Sequence, residues 1–132
     1  MKTIILSMIL LVLFSSSTCK KEGADCHRKI IIKNNSDTAI IQAFKFYYND
    51  KCLLSGNRIE PDSLFIDNRS QCWEDMFYEG KQYELFIVNP NNYNTQLVFY
   101  NCDSIIFKNT ILKHYKLTLS ELKQSNFTIT YP

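Results

Sequence analysis

Residues Thr3 to Phe14 form an uncharged, Ile- and Leu-rich run, and that run decides how much of the chain is left to fold. Lys2 precedes it, the small polar residues Ser15 to Thr18 follow it, and Cys19 comes next. A short positive start, an apolar core and a small-residue exit are the three parts of an export signal. The run has 12 residues, too few for the roughly 20 that cross a bilayer as a helix. A buried core helix is excluded because no charged position gives the run a solvent face. The sequence therefore predicts a signal over 1–18, a short polar stretch over 19–25 and one domain over 26–132. One compact domain is also all that a chain of this size accommodates.

Small residues leading directly into Cys19 resemble a bacterial lipoprotein signal. That resemblance implies lipidation of Cys19, which becomes the first mature residue. Several acyl chains on one cysteine suffice for stable anchoring. The expected location is the cell envelope, at the periplasmic face or on the outer-membrane surface, with residues 20–25 (KKEGAD) as tether.

Charge excludes one class of partner. Of the 15 basic residues only Lys2 lies in 1–18, so the rest of the chain carries 14 against 13 acidic residues, a formal +1. Lys20-Lys21 and Arg28-Lys29 are pairs and not a stripe. No nucleic-acid footprint is present. Setting Cys19 aside, four of the five cysteines remain: Cys26, Cys52, Cys72 and Cys102. An even number in an exported chain points to two disulfides, and no CxxC spacing points to zinc or dithiol redox chemistry. Four cysteines allow three pairings.

Strand signals dominate the domain. Residues 28–34 and 39–48 are β-branched and aromatic runs flanking the turn-forming Asn34-Asn35-Ser36-Asp37, which together suggest a hairpin. That hairpin would put Cys26 beside Cys52, so the expected pairs are Cys26–Cys52 and Cys72–Cys102. Short strands are expected at 57–60 and 63–67 around Pro61-Asp62, and at 82–88 and 95–100 around the loop Asn89 to Asn94. Residues 110–117 also look extended. Residues 126–131 alternate, with Phe127, Ile129 and Tyr131 on one face. Trp73, Met76 and Phe77 share a helical face within 70–79, with Ser70 placed to cap its start and Gly80 its end. Residues 103–108 allow one helical turn. Thr118 to Glu121 form a capping box with Leu117 and Leu122 as staple. The fold class expected is mainly β, an antiparallel β-sandwich, immunoglobulin-like or similar, with one or two short helices. A small closed barrel is the rival.

The segments Asp25-Cys26-His27, Asn34-Asn35-Ser36-Asp37, Cys72-Trp73-Glu74-Asp75 and the ending from Leu112 to Pro132 resemble a family of small, uncharacterised Bacteroidetes-type lipoproteins. The resemblance implies an exported, β-rich protein and no particular reaction. Asp37-Thr38-Ala39, Asp62-Ser63-Leu64 and Asp103-Ser104-Ile105 resemble the O-glycosylation pattern of such exported proteins, with Thr38, Ser63 and Ser104 as acceptors.

Catalytic motifs are missing. No phosphate-binding glycine loop, nucleophile elbow or HExxH occurs, and only three glycines are present. His27 follows Cys26, and His114 lies between Lys113 and Tyr115, without the spacing of a nucleophile relay. Glu74 and Asp75 are adjacent on a helix and point about 100° apart, which does not place them across one substrate. Asp62, Asp67 and Asp103 are turn formers rather than a calcium loop. No metal or cofactor is implied. Among the aromatics, Tyr47, Tyr48, Tyr78, Tyr93 and Tyr100 could stack on a sugar. Tyr93 and its neighbour Asn92 are the best binding candidates, because the loop around them is polar. The function expected is a lipid-anchored, non-catalytic binding or accessory module with a protein or glycan ligand. Its rivals are a small envelope inhibitor of a lysozyme-like enzyme and a hydrolase with an unrecognised site.

Overall fold

The structure, a computed structural model, describes residues 22–48, 51–77, 80–92, 100–101 and 105–132. Eight strands are present among these: β1 (Lys29–Asn34), β2 (Ile40–Tyr48), β3 (Lys51–Ile59), β4 (Leu64–Asn68), β5 (Tyr83–Val88), β6 (Tyr100–Asn101), β7 (Ile111–Leu117) and β8 (Thr128–Tyr131). Three short helices join them: α1 (Trp73–Met76), α2 (Ile105–Thr110) and α3 (Leu119–Gln124). The strands form a three-stranded sheet, order β4-β1-β8, and a five-stranded sheet, order β6-β3-β2-β5-β7. The fold is a mainly β, sandwich-like pair of sheets. Every pairing is antiparallel except β1 with β8, which is parallel.

The main core lies between the sheets. Ile30 and Ile32 of β1 and Ile129 of β8 meet Ile40, Ile59, Leu85 and Ile87 of the larger sheet, with Leu122 and Phe127 closing one side. The larger sheet is apolar on both faces. Ile41, Ala43, Leu54, Phe86 and Val88 form a second buried cluster on the side turned away from the smaller sheet. This is why β5 reads as the continuous run Leu85 to Val88 and does not alternate.

The expected β1–β2 hairpin does not form. β1 pairs with β4 and β8, and β2 pairs with β3 and β5 in the other sheet. Ile30 and Ile32 must face Ile40 across the core, which a shared sheet would forbid. The Asn34 to Asp37 turn is a corner between sheets, built on Asn34. Its side chain is buried, and Nδ2 lies within hydrogen-bond distance of the carbonyls of Thr38 (2.8 Å), Ile59 (3.3 Å) and Glu60 (3.2 Å). Its Oδ1 accepts from the Ser36 backbone and hydroxyl.

The cysteine pairing changes with it. Cys26 is bonded to Cys72, not to Cys52, because β1 runs beside β4 and the chain leaving β4 returns to the start of β1. Cys52 is buried and also disulfide-bonded. Cys102, Cys19 and Ser104 lie outside the described residues, as do Tyr93 and Tyr78 and most of the expected strand 95–100.

Other boundaries move for local reasons. β3 starts at Lys51 and not at 57, since it pairs with β2 along its whole length, from Tyr48 opposite Lys51 to Ile40 opposite Ile59. Helix α1 is a single turn; Cys72 occupies its N-cap without a side-chain cap, so Ser70 plays no such role. Gly80 has φ 77°, and lies beyond the helix end at Phe77. The capping box at α3 is as expected: Thr118 N–H donates to Glu121 Oε2 at 2.7 Å, and Glu121 N–H donates to Thr118 Oγ1 at 3.3 Å. Its staple residues Leu117 and Leu122 pack into the main core.

Gly56 sits opposite Ala43 where β2 and β3 approach closely. A Cβ there would overlap the Gln42 carbonyl oxygen and lie 2.6 Å from Ala43 Cα. These are backbone atoms that cannot step aside, so Gly56→Ala is expected to cost upwards of about 2 kcal/mol. Urea unfolding followed by fluorescence measures it; a midpoint equal to that of the parent protein contradicts the register.

Candidate functional site

Two sequence segments recognised separately, Cys26-His27 and Cys72-Trp73-Glu74, are brought together by the fold. Beside the Cys26–Cys72 bond, Trp73 N–H donates to the His27 carbonyl at 2.7 Å. His27 N–H donates to Glu74 Oε2 at 2.8 Å, and His27 Nδ1 lies 2.5 Å from Glu74 Oε1. The imidazole stacks on Phe127, centroids 4.1 Å apart. A one-turn helix has no stability of its own; this clamp holds it. Burial favours the neutral acid at Glu74, but the His27 backbone and ring bonds outweigh it and hold the carboxyl below the usual range.

The clamp sets the apolar face of α1 over the larger sheet and leaves a groove of about 270 Å³. Phe44, Trp73, Met76, Phe77 and Tyr83 form its walls, with Arg69, Lys81 and Glu84 among its polar lining. Trp73 and Tyr83 meet edge to face at 5.4 Å, and so do Phe44 and Tyr83 at 5.9 Å. The Arg69 guanidinium lies 5.5 Å from the Trp73 ring and 5.9 Å from that of Phe44, within cation–π range. Asp67 fixes it there, accepting from Arg69 Nε at 2.9 Å and from the Tyr83 hydroxyl at 3.2 Å. Burial first, then the neighbouring Asp67 charge, pushes the Tyr83 phenol well above its usual pKa. The Trp73 indole N–H is buried and has no hydrogen-bond partner among the described residues.

A second, more polar groove of about 460 Å³ is lined from both sheets and the corner between them, by Thr38, Arg58, Asn89, Pro90, Asn91 and Tyr131 among others. The expected binding loop thus borders a concavity. Asn91 N–H donates to Asn89 Oδ1 at 2.9 Å, which folds the loop as an Asx turn. Asn92 is exposed beside it. Thr38 and Ser63, the acceptor candidates among the described residues, are both exposed on turns.

The two histidines are in separate places. His114 stacks on Phe86 at 4.1 Å, with its Nε2 3.3 Å from Glu84, which Lys116 also approaches at 3.7 Å. Among the described residues no group of three metal-ligating side chains occurs, and no helix is long and apolar enough to cross a membrane.

Searches against family models, curated proteins and solved structures return no match.

The aromatic groove escapes sequence reading in part. Trp73, Met76 and Phe77 are recognisable as one face, but as core; Arg69, Phe44 and Tyr83 carry no local signal, because three different elements supply them. Glu74 as the partner of His27, 47 residues away, is equally invisible.

The carboxylate is tested by Glu74→Gln. Loss of its bonds to His27 is expected to destabilise by about 1–3 kcal/mol at neutral pH. The folded carboxyl titrates below the unfolded one, so its contribution is complete above the ordinary value of 4.5 and disappears as pH falls through the lower folded value. Urea titrations from about pH 7 down to about pH 2 should show the gap between the two proteins closing; a pH-independent gap contradicts the assignment.

Proposed function

We propose that this protein is an exported, lipid-anchored, non-catalytic binding module of the cell envelope, and that the groove between α1 and β5 receives its ligand. The observation that carries the reading is the groove itself. Four aromatic rings and a methionine line a concavity sized for one sugar ring or one aromatic side chain, with an immobilised guanidinium at its wall. Pockets with apolar walls and a few placed polar groups are the ordinary form of a small-ligand site. The non-catalytic reading draws on the histidines, each stacked on a phenylalanine and held to a carboxylate. Cys26 is oxidised and supplies no thiolate. The disulfide favours an oxidising destination, in keeping with export and with the lipoprotein-like Cys19.

A second reading places the ligand at the Asn89 to Asn94 loop, with Tyr93 as its aromatic contact, and is favoured by the groove that Asn89, Pro90 and Asn91 border. One experiment separates the two. The full chain is screened on glycan arrays and in pull-downs from envelope extracts, and Phe77→Ala and Tyr93→Ala are compared on whatever is retained. Phe77→Ala is expected to weaken binding by about 1 kcal/mol or more, as for a modest hot spot. Full binding by Phe77→Ala with loss in Tyr93→Ala transfers the site to the loop, and full binding by both removes both grooves.

A further inference from the structure

The outer face of the three-stranded sheet has no layer over it among the described residues. Burial along β1 alternates, so Lys29, Ile31 and Lys33 point outward while Ile30 and Ile32 enter the core. The register places Ile66 opposite Ile31, and Leu64 opposite Lys33. Leu64 and Ile66 are 56% and 44% exposed, two of the three large hydrophobics left in solvent among the described residues. An apolar patch of neighbouring side chains on a sheet face marks contact with something else. No outward position of β1, β4 or β8 is acidic.

The start of the described chain lies on this same face. Glu22 Oε2 is 3.3 Å from Lys29 Nζ. Cys19 is three residues before Glu22, and three residues reach at most about 11 Å. Lys20 and Lys21 occupy that interval. An acyl anchor at Cys19 therefore cannot hold the domain far from the bilayer, and the sheet face nearest the tether is the one that carries Leu64, Ile66 and the outward lysines.

We propose that this face is a lipid-docking surface, lying against the bilayer in which Cys19 is anchored, with Leu64 and Ile66 entering the interface and Lys33 meeting anionic headgroups. The inference rests on the anchoring part of the proposed function. Its geometry is that of an interfacial element: apolar side chains flanked by lysines whose stems can lie along the interface. The face of the larger sheet that carries Glu84 and Lys116 then points away from the membrane.

Amine footprinting tests it. The full chain is purified from its membrane fraction, and mass spectrometry determines whether Cys19 carries lipid. The protein is labelled with an acetylating reagent in detergent and in vesicles of phosphatidylethanolamine and phosphatidylglycerol. Lys33 is expected to be labelled at least fivefold more slowly in vesicles, with Lys116 unchanged as the internal control. The double variant Leu64→Ser, Ile66→Ser, which alters only exposed side chains, is expected to restore Lys33 labelling while keeping the lipid on Cys19. Equal Lys33 labelling in vesicles and detergent on a lipidated protein overturns the docking face and leaves the anchor standing. Protection that persists in the double variant also overturns it. Absence of lipid on Cys19 overturns the anchor, and the docking inference with it.

Discussion

The Cys26–Cys72 bond gathers three distant parts of the chain at one point. It joins the entry to β1 to the start of α1 across 46 residues, a loop whose closure in the unfolded chain is worth about 4 kcal/mol in the chain-entropy view. The hydrogen bonds beside it, from Trp73 to His27 and from His27 to Glu74, fix the orientation that the covalent bond alone leaves free. Stacking of His27 on Phe127 ties in the C-terminal segment. Phe127 has φ 53°, and is preceded by Asn126 at φ 49°. Two consecutive residues in this left-handed region are costly away from glycine. The strain is sustained by the bond from Phe127 N–H to the Leu122 carbonyl and by burial of the ring. Without the clamp, only the packing of Trp73, Met76 and Phe77 would keep the aromatic face of a four-residue helix over Phe44 and Tyr83.

Around that point the architecture follows from where apolar side chains can go. β1 supplies a core face with two isoleucines and an outward face with lysines, which suits one layer of a sandwich. β2 and β5 are apolar on both faces, so they occupy the interior of the larger sheet. The polar group most important to this arrangement is Asn34, whose amide caps the carbonyls at the corner where the chain passes between sheets. Gln42 is the contrast: it is buried with neither amide atom paired among the described residues, a cost of about 1–3 kcal/mol per group that neighbouring apolar contacts must exceed.

Much of the fold was legible because it is written locally. The β-branched runs at 28–34 and 39–48, the Thr118–Glu121 box and the alternation at the C-terminus all act within a few residues, and the corresponding elements form, the last only over Thr128–Tyr131 because Asn126 and Phe127 turn in the left-handed region. What was not legible is long-range. Turn chemistry at Asn34 to Asp37 is the same for a hairpin and for a corner between sheets, and only the facing of Ile30, Ile32 and Ile40 distinguishes them. The cysteine pairing inherited that ambiguity, because Cys26 has a different neighbour in each case. The helical face at Trp73 was visible, but whether such a face is wholly buried or half-open depends on Arg69, Phe44 and Tyr83, which arrive from other elements. The loop at Asn89 to Asn92 was recognisable from its composition, and its Asx turn is the local feature that composition predicts.

Trp73 is the single tryptophan of the chain and is 4% exposed, so its emission reports directly on the clamp. The double variant Cys26→Ala, Cys72→Ala leaves Cys52 untouched and removes only this cross-link. Acrylamide quenching of Trp73, measured while far-ultraviolet circular dichroism verifies that the sheets persist, is the decisive comparison. If the clamp holds the aromatic groove, the variant gives red-shifted emission and several-fold faster quenching with its β signal intact. Emission and quenching equal to those of the parent protein would mean that the groove is held by packing alone, and that the Cys26–Cys72 clamp is not what builds it.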